Sequence, residues 1–307
     1  MLFVLSTLPL LVTIFLGYLV TTAGMVPRPQ WEGINTLSFR VLIPVVLVRS
    51  IALSDLSSVS GPWIVALLAT LGIAVLTVLL LRLLADRGRL PNPVFTSVFQ
   101  GATRWNAFVA LAAAELFAGP TALALLAVGM AVLVPLINVI NIVVLVIFGT
   151  AKTSLAGIVK SILRNPLVQG CAIGLVLNFS GLPLPEFVTQ SLDLIGRAAL
   201  GVGLLAVGAG IKLRRFLDLS GPLLLGLLMR PVLSPVVFLA LAALFGLSAE
   251  EALAGCLIFA VPAAANGYVV ARQMGGDADL YADIMTWQTI LSMAVLPLFA
   301  AVSTALF

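Results

Sequence analysis

The sequence contains no histidine, and only 9% of its 307 residues are charged. Without histidine, the chain can form neither a Ser-His catalytic dyad nor a His-ligated metal site. Its cysteines, Cys171 and Cys256, both lie within apolar segments, so they indicate neither a disulfide framework nor a metal cluster. No paired aspartates stand in adjacent apolar segments. We therefore expect a protein that is not an enzyme and that holds no cofactor.

Apolar residues are what the chain has in abundance: 62% of it is hydrophobic and its mean hydropathy is +1.22. Apolar runs of about 20 residues recur along the whole chain, and each could cross a hydrocarbon core of roughly 30 Å. This composition excludes a soluble globular domain and predicts an all-α membrane protein with about ten transmembrane helices. The predicted spans are residues 3–24, 32–53, 62–84, 93–117, 121–149, 158–180, 188–211, 222–246, 250–273 and 282–306.

Basic residues occur on one side of this predicted topology. Lysine or arginine lies within or beside every odd-numbered connection between spans, whereas the even-numbered connections contain neither. Because basic loops stay in the cytoplasm, we expect both termini outside, in the plasma membrane (the inner membrane of a bacterium). The net charge of +4 is then an orientation signal, and no nucleic-acid partner is expected. The basic residues are Arg28, Arg82, Arg87, Arg89, Lys152, Lys160, Arg164, Lys212, Arg214, Arg215 and Arg272.

The two halves of the chain, residues 1–150 and 151–307, align as repeats of five spans. A shift of 157 places Gly17 on Gly174 and Arg40 on Arg197, and a shift of 160 places Asn106 on Asn266. Five is an odd number, so the second copy must enter the membrane from the opposite side. Inverted repeats of this kind are typical of alternating-access carriers, whose site lies between the repeats.

Span nine carries the strongest local signal for a site. Pro262 stands in the middle of this apolar span, where it removes a backbone donor and disfavours helical geometry at Val261. Asn266 and Gly267 follow about one turn later. Opened backbone is tolerated at membrane depth only where protein or a water-filled cavity receives it, and transporters build substrate sites from such breaks. Pro262, Asn266 and Gly267 are therefore candidate substrate-binding residues.

Span four contains the corresponding polar group, with Thr103, Arg104 and Asn106 near its middle. An ionisable side chain inside a membrane points to function, so these residues are also candidates for substrate binding. The alternative is structural: Arg104 would neutralise a carboxylate or cap backbone carbonyls. In span five, Asn138 and Asn141 either face the site or form hydrogen bonds between helices, and we expect the second role.

The deep charges are mainly positive. Arg40, Arg104, Arg197 and Arg230 face one clear acidic partner, Asp193, which stands four residues before Arg197 and can pair with it on one helix face. Asp193, Arg197, Arg40 and Arg230 are thus candidates for a charge pair or for ion coupling, and a purely structural ion pair competes with that interpretation. The positive excess and the half-helix N-termini at the breaks favour an anionic substrate. Arg49, near the outer end of span two, is expected to snorkel to the interface.

Several short motifs occur in an order that resembles the auxin efflux carrier family, which includes the plant PIN-type carriers. They are Arg104-x-Asn106, Asn165-Pro166-Leu167, Gly208-Ala209-Gly210, Pro262-x-x-x-Asn266 and Leu296-Pro297-Leu298.

The resemblance implies a fold like that of the bile-acid symporters, in which spans four and nine are broken and cross each other. Spans 1, 2, 6 and 7 would form a scaffold domain, and spans 3–5 and 8–10 a transport domain. The asparagines beside the breaks, here Asn106 and Asn266, would contact a small carboxylate. The proline that the family often has after the span-four asparagine is missing here, where the chain reads Leu111-Ala112-Ala113. The break in span four is therefore expected less firmly than the one at Pro262.

These observations favour a secondary carrier of small organic anions, an exporter or permease that works by alternating access. A passive anion channel and a structural membrane protein without transport are the alternatives. Expected partners are the carboxylate substrate and the lipid bilayer. Coupling to H⁺ or Na⁺ and assembly into a homodimer are left open.

Overall fold

The computed structural model describes residues 2–54, 56, 59–85, 90–149, 154–211, 220–264 and 267–307. Within these residues the regular structure is helical, so the prediction of an all-α fold is confirmed. Asn266 and the basic residues Arg87, Arg89, Lys152, Lys212, Arg214 and Arg215 lie outside the described residues.

The described part of the first half of the chain contains six α-helices and one π-helical turn. In chain order they are α1 (Leu2–Thr22), α2 (Gln30–Leu37), the π-turn Ser38–Leu42, α3 (Ile43–Ala52), α4 (Gly61–Leu84), α5 (Asn92–Thr103) and α6 (Ala107–Phe148).

The second half follows a similar order. It contains α7 (Leu155–Leu163), α8 (Pro166–Ser180), α9 (Glu186–Ala209), α10 (Gly221–Leu228), the π-turn Met229–Leu233, α11 (Ser234–Phe245), α12 (Ala249–Ala260), α13 (Gly267–Met274) and α14 (Ala278–Leu306).

Among the residues that the structure describes, six helices are long and apolar enough to cross a membrane: Gln30–Ala52, Gly61–Leu84, Ala122–Phe148, Glu186–Ala209, Gly221–Phe245 and Ala278–Leu306. Shorter apolar helices occur at Leu8–Thr22 and Pro166–Ser180. The protein is therefore an integral membrane protein. The count of ten spans and the inverted arrangement of the repeats stay predictions, because the broken spans consist of helices too short to cross a membrane alone.

Spans four and five, predicted as residues 93–117 and 121–149 with a turn at Pro120 between them, are not separated by a turn. Helix α6 is continuous from Ala107 to Phe148, through the position where the turn was expected. Proline interrupts a helix only where the lost hydrogen bond and the crowded carbonyl are not compensated. The apolar segment that qualifies as a span within α6 begins at Ala122.

Each π-turn ends two residues before a proline. The segments Ser38–Leu42 and Met229–Leu233 are each followed by one residue and then by Pro44 or Pro235. Proline offers no N–H to the carbonyl four residues earlier and crowds it, so the helix widens and bonds over five residues instead. The Ile43 N–H donates to Ser38 O, and the Ser234 N–H donates to Met229 O. The widened turns contain Arg40 and Arg230 respectively.

Helices α1, α3, α8 and α9 pack against one another through glycines. An added Cβ at Gly17 would overlap the Leu205 backbone, and one at Gly208 would overlap the Ile14 backbone, so α1 and α9 lie in close contact. Helices α3 and α8 meet similarly, since a Cβ at Gly170 would stand 2.9 Å from Pro44 Cα. Small residues permit such close approach of helices. These four helices belong to spans 1, 2, 6 and 7, and their assignment to a scaffold domain stays a prediction.

Candidate functional site

The two helix breaks meet. Helix α5 ends at Thr103, the backbone is extended at Arg104 and Asn106, and α6 begins at Ala107. Helix α12 ends at Ala260, and Val261 is extended directly before Pro262. The Asn106 N–H donates to Pro262 O at 2.8 Å, which joins one break to the other. Four helix ends therefore converge on one point of the protein.

The break in span four forms without the usual proline because Asn106 caps the following helix. Its Oδ1 accepts from Phe108 N at 3.1 Å and from Val109 N at 3.3 Å, satisfying two of the donors that a helix N-terminus leaves open. Asn106 is 3% exposed. Its carbonyl oxygen thus has a structural task, which leaves the amide Nδ2 as the group that could donate to an anion.

Arg230 connects the C-terminal ends of α5 and α12, the two helices that end at the breaks. Its Nη1 donates to Thr103 O at 3.3 Å, and its Nη2 donates to Ile258 O at 2.6 Å. The guanidinium carbon lies 5.9 Å from the centre of the Phe259 ring, and the residue is 1% exposed. The acceptors of this charge are neutral carbonyls. Arg230 therefore contributes to the crossing of the breaks, and its part in a charge pair or in ion coupling stays a prediction.

Helix α14 supplies partners for the opened backbone. Gln288 Nε2 donates to Gly101 O at 3.0 Å and to Gly226 O at 2.6 Å, while its Oε1 accepts from Ala263 N at 2.7 Å. Two turns earlier, the Tyr281 hydroxyl donates to Ala264 O at 2.6 Å. Both side chains are fully buried. The bonds to Ala263 N and Ala264 O provide partners for backbone groups beside Pro262, where the helix is interrupted.

Arg104 is buried beside the break, with 5% exposure, and its Nε donates to Gln100 Oε1 at 3.1 Å. Gln100 is a neutral amide, so this bond leaves the positive charge uncompensated. Buried charges are costly unless paired, and an arginine in this position is typical of a functional site.

Thr103 has less freedom to bind a ligand than the sequence suggested. Its hydroxyl donates to Phe99 O at 2.8 Å and accepts from Asn141 Nδ2 at 2.9 Å. Asn141 Nδ2 also donates to Ile137 O at 2.8 Å. The expected role of Asn141 in bonding between helices is confirmed, and Thr103 is its partner.

Residues 153–300 match the family described as "Membrane transport protein". The match covers most of the second half of the chain. The match confirms the resemblance to the auxin efflux carriers and indicates a membrane transporter. No curated protein matches the chain.

The remaining predicted site residues are Asn266, Gly267, Arg40 and Arg197. Asn266 lies outside the described residues, so its role stays a prediction. Gly267 begins α13 and faces Tyr281, whose hydroxyl would overlap a Cβ at this position. Arg40 and Arg197 are exposed on the protein surface, away from the buried arginines.

Asp193, which the sequence could pair with Arg197 four residues later, bonds to a residue of a neighbouring helix. Within the described part of the transporter, Asp193 Oδ1 pairs with Arg49 Nε, and the two side chains are 33% and 35% exposed. Arg49 therefore ties α3 to α9 as well as lying near the surface. The neighbouring helix offers Asp193 a charge at the right depth, which a pattern along one helix cannot reveal.

Sequence reasoning missed Gln288 and Tyr281. A signal existed, because a glutamine in the middle of an apolar span has to find hydrogen-bond partners inside the protein. The spacing of the two residues also places them on one face of α14, two turns apart. What the sequence could not indicate is which carbonyls and N–H groups that face would meet.

Proposed function

We propose that this transporter is a secondary carrier of small organic anions, with its substrate site at the crossing of the two breaks. The observation that carries the proposal is the hydrogen bond between Asn106 N and Pro262 O, with buried Arg104 two residues before Asn106. In an extended segment, residues i and i+2 lie on the same side of the chain. Arg104 and the Asn106 amide would therefore offer a positive charge and a donor to one carboxylate.

The site also suits alternating access. The breaks are held within one group of helices, because Gln288 on α14 bonds to α5, to α10 and to the backbone after Pro262. The glycine-mediated packing of α1 with α9, and of α3 with α8, forms a second group. We infer that the first group carries the substrate and moves against the second. Both termini would lie outside the plasma membrane, as the loop charges predict.

The test is counterflow in proteoliposomes. Vesicles loaded with an unlabelled small carboxylate, such as malonate or malate, should accumulate the labelled compound transiently from outside, because a carrier exchanges substrate across the membrane. A channel gives no such overshoot. Arg104→Gln should reduce the initial rate by roughly tenfold or more, in line with the loss of about 1.5–3 kcal/mol for a hydrogen bond to a charged group.

The matched control is Arg28→Gln, which removes an exposed loop charge and should leave the rate unchanged. Equal losses in the two variants would remove Arg104 from the site. Single-channel currents in a planar bilayer, with no counterflow for any carboxylate of the panel, would contradict the carrier proposal.

A further inference from the structure

The C-terminal ends of α5 and α12 share one side chain. The last four carbonyls of a helix have no partner within it, and this end of a helix carries a partial negative charge. Thr103 is the last residue of α5, and Ile258 lies in the last turn of α12. The oxygens of both accept from the guanidinium of Arg230, at 3.3 and 2.6 Å. One positive charge thus lies between two negative helix ends.

Such carbonyls are also suitable ligands for a metal cation. In transporters with broken helices, half-helix C-termini and unwound carbonyls coordinate the coupling Na⁺. Here two oxygens of this kind are occupied by a side chain that is permanently charged. We propose that Arg230 is a tethered cation that takes the place of Na⁺ at the crossing, so that the transporter needs no Na⁺ there.

Several contacts hold the guanidinium in this position. Arg230 is 1% exposed and lies against the Phe259 ring, a favourable arrangement for a cation. The π-turn that contains it is fixed at its far end, where the Ser234 hydroxyl donates to Met229 O at 2.8 Å. Displacing Arg230 would expose two carbonyls and the buried charge together, so the charge stays at the crossing throughout the transport cycle.

A permanent charge has a consequence for coupling. In a carrier that binds Na⁺ at this place, an anionic substrate meets the positive charge only when the ion has bound. In this transporter the charge is part of the protein, so substrate binding does not require that Na⁺ bind first. This consequence rests on the proposed function, whereas the occupation of the carbonyls by Arg230 does not.

The experiment measures the melting temperature of the purified protein in NaCl and in choline chloride at equal ionic strength. The wild-type Tm should be the same in both. Arg230→Ala should lower the Tm by at least about 3 °C in choline, since two buried carbonyls lose their donors. Millimolar guanidinium or Na⁺ should restore part of this loss in a saturable manner, because both fit the vacated position and choline does not. Arg230→Lys, which keeps the charge, should show a smaller loss and no response to Na⁺.

Three results would overturn the proposal. The first is a saturable, Na⁺-specific rise of the wild-type Tm. The second is an Arg230→Ala protein whose lowered Tm responds to neither cation, because the side chain would then serve packing alone. If Arg230→Ala does not fold, the proposal is tested on Arg230→Lys, which keeps the charge. The third overturning result is an Arg230→Lys protein that also fails to fold.

The measurement needs no substrate, so its outcome is separate from that of the counterflow assay. A protein that transports no carboxylate could still show the cation response in Arg230→Ala. Conversely, if the protein transports carboxylates but its wild-type Tm depends on Na⁺, the proposed function stands and the tethered-cation proposal is refuted.

Discussion

Gln288 should contribute more to stability than any sequence pattern suggests, and Gln288→Leu tests this directly. The leucine has a similar size but makes no hydrogen bond, so Gly101 O, Gly226 O and Ala263 N each lose a partner. A buried polar group left unsatisfied costs about 1–3 kcal/mol. Three such groups give about 3 kcal/mol at the low end of that range, and the neighbouring backbone can recover little of it because Gln288 is fully buried.

The assay is thermal unfolding of the purified protein in detergent. A loss of about 3 kcal/mol corresponds to a decrease of roughly 5 °C in Tm for a chain of this size. Thr289→Val is the matched control at the next position of the same helix. Thr289 is equally buried, but its hydroxyl donates only to Met285 O one turn earlier, so its loss should shift Tm by no more than about 2 °C.

Similar shifts for Gln288→Leu and Thr289→Val would refute the reasoning. They would mean that the backbone around Pro262 finds other partners and that α14 does not hold the break. Counterflow measured on the same samples adds a second criterion. A Gln288→Leu protein that is destabilised but folded should also transport more slowly, because the Asn106–Pro262 contact loses one of its supports.

Two further predictions concern the surroundings of the site. Gly203→Ala should lower Tm, because the added methyl group would overlap the Phe108 ring and overpacking costs about 1–3 kcal/mol. The control is Gly201→Ala on the same helix, whose methyl group would enter open space and should leave Tm unchanged or slightly raised. Equal effects of the two substitutions would contradict the contact between α9 and α6. Asn106→Asp keeps the oxygen that caps α6 but replaces the donor with a negative charge, so carboxylate affinity should fall by roughly tenfold or more while Tm changes little. Unchanged affinity, measured by isothermal titration, would remove Asn106 from the site.

Local chemistry was predictable where one or two residues decide the outcome. The sequence predicts the break at Pro262, because a proline in mid-span lacks the N–H that the helix needs, and the structure ends α12 just before it. The membrane character follows from composition in the same way. The break in span four was less certain without a proline, and it forms because Asn106 satisfies the N-terminus of α6.

Partners across the fold were not predictable. Asp193 has Arg197 one turn away on its own helix and yet pairs with Arg49, because α3 brings that charge to the same depth. Arg230 looked like half of an ion pair, but the two helix ends at the crossing offer it carbonyls.

The sequence by itself determined that this protein lies in a membrane, that it is helical, and that its backbone opens at Pro262. These properties depend on composition and on bonds within one helical turn, which the order of residues specifies. Only the tertiary structure decided which groups close the opened backbone. These partners depend on which helices are neighbours and on the depth at which their side chains meet. Arg230 donates to the carbonyls of Thr103 and Ile258, and Gln288 accepts from the N–H of Ala263.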